Sequence, residues 1–156
     1  MSNELSSKAQ KTEMEERMTN TRSTLNESAT QEMSTFHKNI IGRYRLLSHG
    51  TYNFEGEFTP TSEFISGELI YAGEGYLSVI IFFNRDTQEN RKFLAYSGLY
   101  EMTSPNEVIH KISICSKTNR NSTSENRNYK LIDNFLFLSC PLEESKKFEA
   151  KWERIN

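Results

Sequence analysis

From Ile40 to Ile155 the apolar residues of this chain recur at about every second position, in nine short runs, and that period decides most of what the chain can become. The runs are IIGRYRLLSHG, TYNFEGEF, SGELIYA, GYLSVIIFF, RKFLAYSGLYEM, EVIHKISIC, RNYKLID, FLFLSC and KFEAKWERI. Between them stand GEG, NRDTQEN, TSPNE, KTNRNSTSEN, DN and PLEESKK, built from the residues that turns favour. No stretch of roughly 10 to 15 residues after Ile40 carries a helical period, which argues against a parallel sheet with crossover helices. Sequential antiparallel strands remain.

Short strands must hide their edges and bury one face. A sheet closed on itself does both, and at about eight strands its interior can hold one small ligand. The local links favour such a meander over a two-sheet sandwich, whose Greek-key connections need a long return. The expected fold is therefore all-β, an antiparallel barrel of about 8–9 strands.

Residues 1–38 read differently, as a polar extension of Ser, Thr, Glu, Asn and Met that is partly helical or disordered. KAQKTEMEERM has a thin helical stripe through Met14 and Met18, and Gln31 to Asn39 reads as a short helix with Met33, Phe36 and Ile40 on one side. The domain boundaries expected are 1–38 for the extension and 39–156 for the barrel. The extension is also the natural contact for a protein partner.

A net charge of -2 argues against nucleic acid and anionic membranes as partners. The best basic cluster, Lys117, Arg120 and Arg127, sits in a Ser/Thr/Asn-rich stretch that reads as a solvated loop. No apolar run approaches the roughly 18 residues of a transmembrane helix, and the opening residues lack a signal-peptide core. Cys115 and Cys140 are too few for a disulfide scaffold. A cytoplasmic location is expected, with export by a route that reads no signal peptide as the alternative. His37, His49 and His110 are far apart, no Gly-x-Ser-x-Gly appears, and the glycines read as turns rather than a phosphate cradle. Neither metal nor cofactor is expected, and the oligomeric state is not legible.

Strand parity supplies the candidate residues. In EVIHKISIC, Val108, His110, Ile112 and Ile114 share one side, while Ile109, Lys111, Ser113 and Cys115 share the other. An unpaired imidazole in an apolar interior is costly. His110 is thus a core residue bonded to a tyrosine hydroxyl, a ligand contact, or a general acid or base. Arg127 shares parity with Tyr129 and Leu131, which points it inward, where a guanidinium clamps a carboxylate or phosphate; a solvent-facing rim position is the alternative. Tyr96 and Tyr100 share a face with Gly98, whose missing side chain leaves room for a ligand or a bend. Tyr44 and Tyr71 add two phenols. Trp152 and Arg154 read as a structural pair, with Arg154 stacking on Tyr44 to hold the barrel closed.

These pieces, in order, resemble the bacterial and fungal lipocalin-like domain family. They are GRYRLLS from Gly42, GELIY from Gly67, GYLSV from Gly75, AYSGLY from Ala95, VIHKIS from Val108, Arg127 ahead of a strand, FLFL from Phe135 and KWER from Lys151. The resemblance spans Ile40 to Ile155 and implies a small antiparallel barrel with an internal cavity. Tyr44 stands where the family has a tryptophan, while His110 and Arg127 fall on its recurrent histidine and arginine. The function expected is binding of a small hydrophobic or amphipathic molecule, such as an organic acid. Tyr44, Tyr71, Tyr96, Tyr100, His110 and Arg127 are its ligand-binding candidates. The alternatives are a protein-interaction module working through residues 1–38, and an isomerase or cyclase on a lipophilic substrate with His110 as acid or base.

Overall fold

The computed structural model describes residues 38–61, 65–83, 92–143 and 146–155. The expected extension and the helices read within it lie outside that set, apart from helical backbone at residues 38–40.

The strands are β1 (Gly42–Tyr52), β2 (Phe58–Pro60), β3 (Ile65–Tyr71), β4 (Tyr76–Phe83), β5 (Lys92–Ser104), β6 (Glu107–Cys115), β7 (Thr123–Ile132), β8 (Phe135–Pro141) and β9 (Lys147–Ile155). Eight of the nine runs correspond to a strand, whereas TYNFEGEF is the end of β1, a turn and the first residue of β2. Their order is β2-β1-β3-β4-β5-β6-β7-β8-β9, every pairing antiparallel. β1 also pairs with β9, from Arg43 opposite Ile155 to Tyr52 opposite Lys147. The sheet thus closes into an eight-stranded antiparallel barrel, with the short β2 appended beside the end of β1. Closure satisfies the backbone groups that two free edges would leave open.

The period of two is visible in the packing. Leu69, Val79, Val108, Ile112, Leu136 and Trp152 are buried on the inner face. On the outer face Arg43 pairs with Glu68, Arg45 with Glu153 and Lys111 with Glu101. These exposed pairs add little stability individually.

The period breaks at three β-bulges. In β1, Leu46 faces Trp152 and Ser48 faces Lys151, so Leu47 is an extra residue. In β6, Ser97 of β5 faces Ile114 and Gly98 faces Ile112, so Ser113 is extra; in β5 the extra residue is Thr103. A bulge reverses the facing of every residue beyond it. Ile114, expected inward with His110, is therefore exposed, and Cys115, expected outward, is buried. β7 also begins at Thr123 rather than Arg127, because one 3-10 turn, Thr118–Arg120, shortens the preceding link.

Gly98 faces the β6 bulge, and its bare Cα serves the bend rather than a ligand: a Cβ here would lie 2.0 Å from the Lys111 carbonyl oxygen and 2.9 Å from the Ser113 nitrogen. Gly98→Ala is expected to lower the unfolding free energy by about 2 kcal/mol or more, measured by urea denaturation. At Gly73 the nearest atom to an added Cβ is 3.7 Å away, so Gly73→Ala is the near-neutral control.

Candidate functional site

Three strands meet around His110, which has no exposed surface. Its Nε2 lies 2.5 Å from the Tyr71 hydroxyl of β3, and its Nδ1 lies 3.0 Å from the Tyr96 hydroxyl of β5. Burial, with help from Arg127 and Arg120, pushes the imidazole pKa down to about 3, so the ring is neutral near pH 7. A neutral imidazole has one N–H and one acceptor nitrogen, so one tyrosine donates to it and the other accepts from it. If Tyr71 were the acceptor, its own proton would be left in a fully packed interior. The favoured arrangement has Tyr71 O–H donating to Nε2 and Nδ1–H donating to the Tyr96 oxygen. Tyr96 then keeps a spare hydroxyl proton. Burial raises both phenol pKa values, Tyr96 to about 12 and Tyr71 well above its usual 10.

On one side of this bridge the described residues form a packed aromatic cluster. The Tyr71 and Tyr100 rings meet edge-on at 4.7 Å, and Tyr44 stands 6.4 Å from Tyr71. Tyr100 donates its hydroxyl to the Ala72 carbonyl at 2.9 Å, and Tyr44 donates to the Ile40 carbonyl at 2.7 Å. The Tyr44 oxygen accepts from Arg154 Nη2 at 2.7 Å, and the guanidinium lies 5.2 Å from the Tyr44 ring centre. Arg154 also donates to the Asn39 carbonyl. The expected stacking of Arg154 on Tyr44 is present, and it seals this end.

On the other side lies a cavity of about 230 Å³. Its apolar wall includes Val79, Ile81, Leu94, Leu138 and Phe148. Arg120 and Arg127 line it as well, and both are held by the carboxylate of Glu125. Arg120 Nε donates to Glu125 Oε1 at 2.7 Å, and its guanidinium carbon lies 5.3 Å from the centre of the Tyr96 ring, which is also part of the lining. Among the described residues, two guanidiniums against one carboxylate leave one excess positive charge on this wall. Trp152, only 2% exposed, completes the wall, and its Nε1 has no hydrogen-bond partner among the described residues. At the rim His49 contacts Thr61 Oγ1 through Nδ1 at 2.8 Å, and burial pushes its pKa down to about 4.

The six candidates therefore separate. Tyr96 and Arg127 line the cavity, whereas Tyr44, Tyr71, Tyr100 and His110 are not among its lining residues. His110 and Arg127 do not share the cavity wall; Tyr96, bonded to His110, lines it together with Arg127. Sequence reasoning missed His49, because the Leu47 bulge turns it inward against the simple parity of β1. It also missed Glu125, since the strand starts earlier than the RNYKLID run. Arg120, read as a solvated loop residue, is half-buried against Tyr96, whereas Lys117 is exposed. Trp152 had a legible signal, its shared parity with Ala150 on the inner face of β9.

Among the described residues, no group of three His, Cys, Asp or Glu could hold a metal ion, and no helix is long and apolar enough to cross a membrane. No protein-family model matches the chain, and no curated protein matches it. Among solved structures, a redesigned β-barrel is similar with a TM-score of 0.44 and 9% identity, over 80% of this chain and 96% of that one.

The His110 environment predicts a pH dependence. Below the ordinary histidine pKa of 6.5 the unfolded chain takes up a proton that the folded chain refuses until about pH 3. Stability present above pH 6.5 is therefore lost as pH falls towards 3, and His49 acts in the same direction. Between pH 6.5 and about pH 5, His110→Gln is expected to remove a slope of up to about 1.4 kcal/mol per pH unit from the unfolding free energy. Equal slopes in the two proteins would contradict a buried neutral imidazole.

Proposed function

We propose that this barrel binds a small amphipathic molecule, with an organic acid as the favoured class, in the cavity lined by Tyr96, Arg120, Arg127 and Trp152. The single observation that carries the reading is an apolar cavity of about 230 Å³ whose wall holds two guanidiniums with, among the described residues, one compensating carboxylate. A guanidinium retained in an apolar wall suits a carboxylate, and one excess positive charge suits a monoanion. The cavity volume equals about eight waters at roughly 30 Å³ each, which favours a compact ligand. The lipocalin-like motifs of the sequence support the same reading.

Catalysis by His110 has less support. Both ring nitrogens are engaged by tyrosines, the ring is neutral, and it is not part of the cavity lining. Tyr44, Tyr71, Tyr100 and His110 are better read as the sealed half that shapes the site, with Tyr96 and Arg127 as the contacts. Residues 1–38 remain the proposed separate extension.

Octanoate is expected to raise the melting temperature of the full chain in a concentration-dependent way, and octylamine to leave it unchanged. Glu125→Gln, which frees guanidinium donors, should tighten octanoate binding, and Arg127→Met should weaken it by roughly tenfold. Failure of octanoate to bind at all would refute the reading.

A further inference from the structure

His49 stands on the cavity wall opposite the arginines. Closure of the sheet sets the strands in the ring β1-β3-β4-β5-β6-β7-β8-β9, so β6 lies across the barrel from β1 in either direction. Arg127 stands on β7 and Arg120 in the turn between β6 and β7, over the Tyr96 ring of β5, so their guanidiniums gather around the β6 wall. His49 belongs to β1, opposite Ala150 of β9, and lines the same cavity. Between the two walls stand Val79, Ile81 and Leu138, whose side chains make no hydrogen bonds.

The His49 ring is held in place by three neighbours. It meets Phe83 edge-on at 5.1 Å and Phe148 at 4.6 Å, and its Nδ1 contacts Thr61 Oγ1 at 2.8 Å. The two nitrogens of an imidazole point in nearly opposite directions, and Thr61 is not among the lining residues, so Nε2 is directed away from Thr61 and towards the cavity. Among the described residues Nε2 has no hydrogen-bond partner, yet it is not sealed off as Trp152 Nε1 and Arg154 Nε are. The Thr61 hydroxyl both donates and accepts, so the neutral ring can present either an N–H or a lone pair at Nε2. A ligand hydroxyl answers both forms, whereas a ketone answers the N–H alone.

We infer that the molecule held here is a hydroxy acid that spans the barrel, with its carboxylate at Arg120 and Arg127 and its distant hydroxyl at His49 Nε2. The inference rests on the cavity-binding reading and narrows it. One end of the ligand carries the negative charge that balances the arginines, and the other end stays uncharged because the imidazole facing it is neutral. A fixed hydrogen-bonding group discriminates against the analogue that leaves it unpaired.

Isothermal titration of the full chain with hexanoate, octanoate, 6-hydroxyhexanoate and 8-hydroxyoctanoate tests it. At one of the two lengths the hydroxy acid is expected to bind roughly 2- to 10-fold tighter than its parent acid. In His49→Phe, which keeps a flat ring without nitrogens, that ratio should fall to about one or below. No preference for either hydroxy acid, or a preference that survives His49→Phe, overturns the inference and leaves the cavity-binding reading standing. Tighter binding of octanedioate than of 8-hydroxyoctanoate also overturns it, since the end at His49 would then be charged. Failure of all these acids to bind overturns both. Should the variant fail to fold, nitrogen-15 spectra of the unaltered protein decide: a His49 Nε2 resonance displaced by the preferred hydroxy acid relative to its parent supports the inference, and equal positions overturn it.

Discussion

Two phenols hold one imidazole in the middle of this barrel, and that bridge divides the interior. His110 sits fully buried between Tyr71 and Tyr96, with a pKa far below the ordinary histidine range. It is stable there only as a neutral ring with both nitrogens bonded. Meeting that condition brings β3, β5 and β6 to a shared point and fills the space around it with aromatic side chains. The remaining room is on the other side, where β7 contributes Arg127 and β9 contributes Trp152.

Closure depends on the first and last strands. β9 pairs with β1 along nearly its whole length, and Arg154 joins the Tyr44 hydroxyl and the Asn39 carbonyl. The aromatic residue at the start of β1 therefore acts as a plug, and its hydroxyl is satisfied from both directions by Arg154 and the Ile40 carbonyl. A sealed end allows the opposite end to remain hollow without exposing the barrel interior on both sides. The part-buried ionic group at the hollow end is unbalanced among the described residues, with Glu125 shared between two arginines. Charges in such places are costly unless paired, and that cost is the basis for the proposed anionic ligand.

Much of this was legible in the chain, and the misses share a physical cause. The period of two identified the strands, and parity within β5 and β7 placed Tyr96, Tyr100, Arg127 and Tyr129 inward. The inward side of His110 was read the same way. Parity fails beyond a bulge, since one unpaired residue exchanges the two faces. That is why His49 past Leu47 and Cys115 past Ser113 were not foreseen on the inner face. Bulges leave little trace in side-chain composition because the extra residue is an ordinary leucine or serine. Arg120 and Glu125 were hidden for another reason: their stretch is polar enough to read as a loop, yet their mutual ion pairs let the chain turn back over the barrel mouth. The separation of a solid tyrosine cluster from a hollow arginine-bearing end was not legible either, because it depends on how side chains from different strands fill one another's space.

The division of the barrel is open to direct measurement. Nuclear Overhauser contacts between carbon-13-labelled octanoate and the protein should reach Phe148, Leu138 and Trp152, and should be absent from Tyr44, Tyr71 and Tyr100. Contacts from the bound acid to Tyr71 or His110, with none to Trp152, would contradict the account.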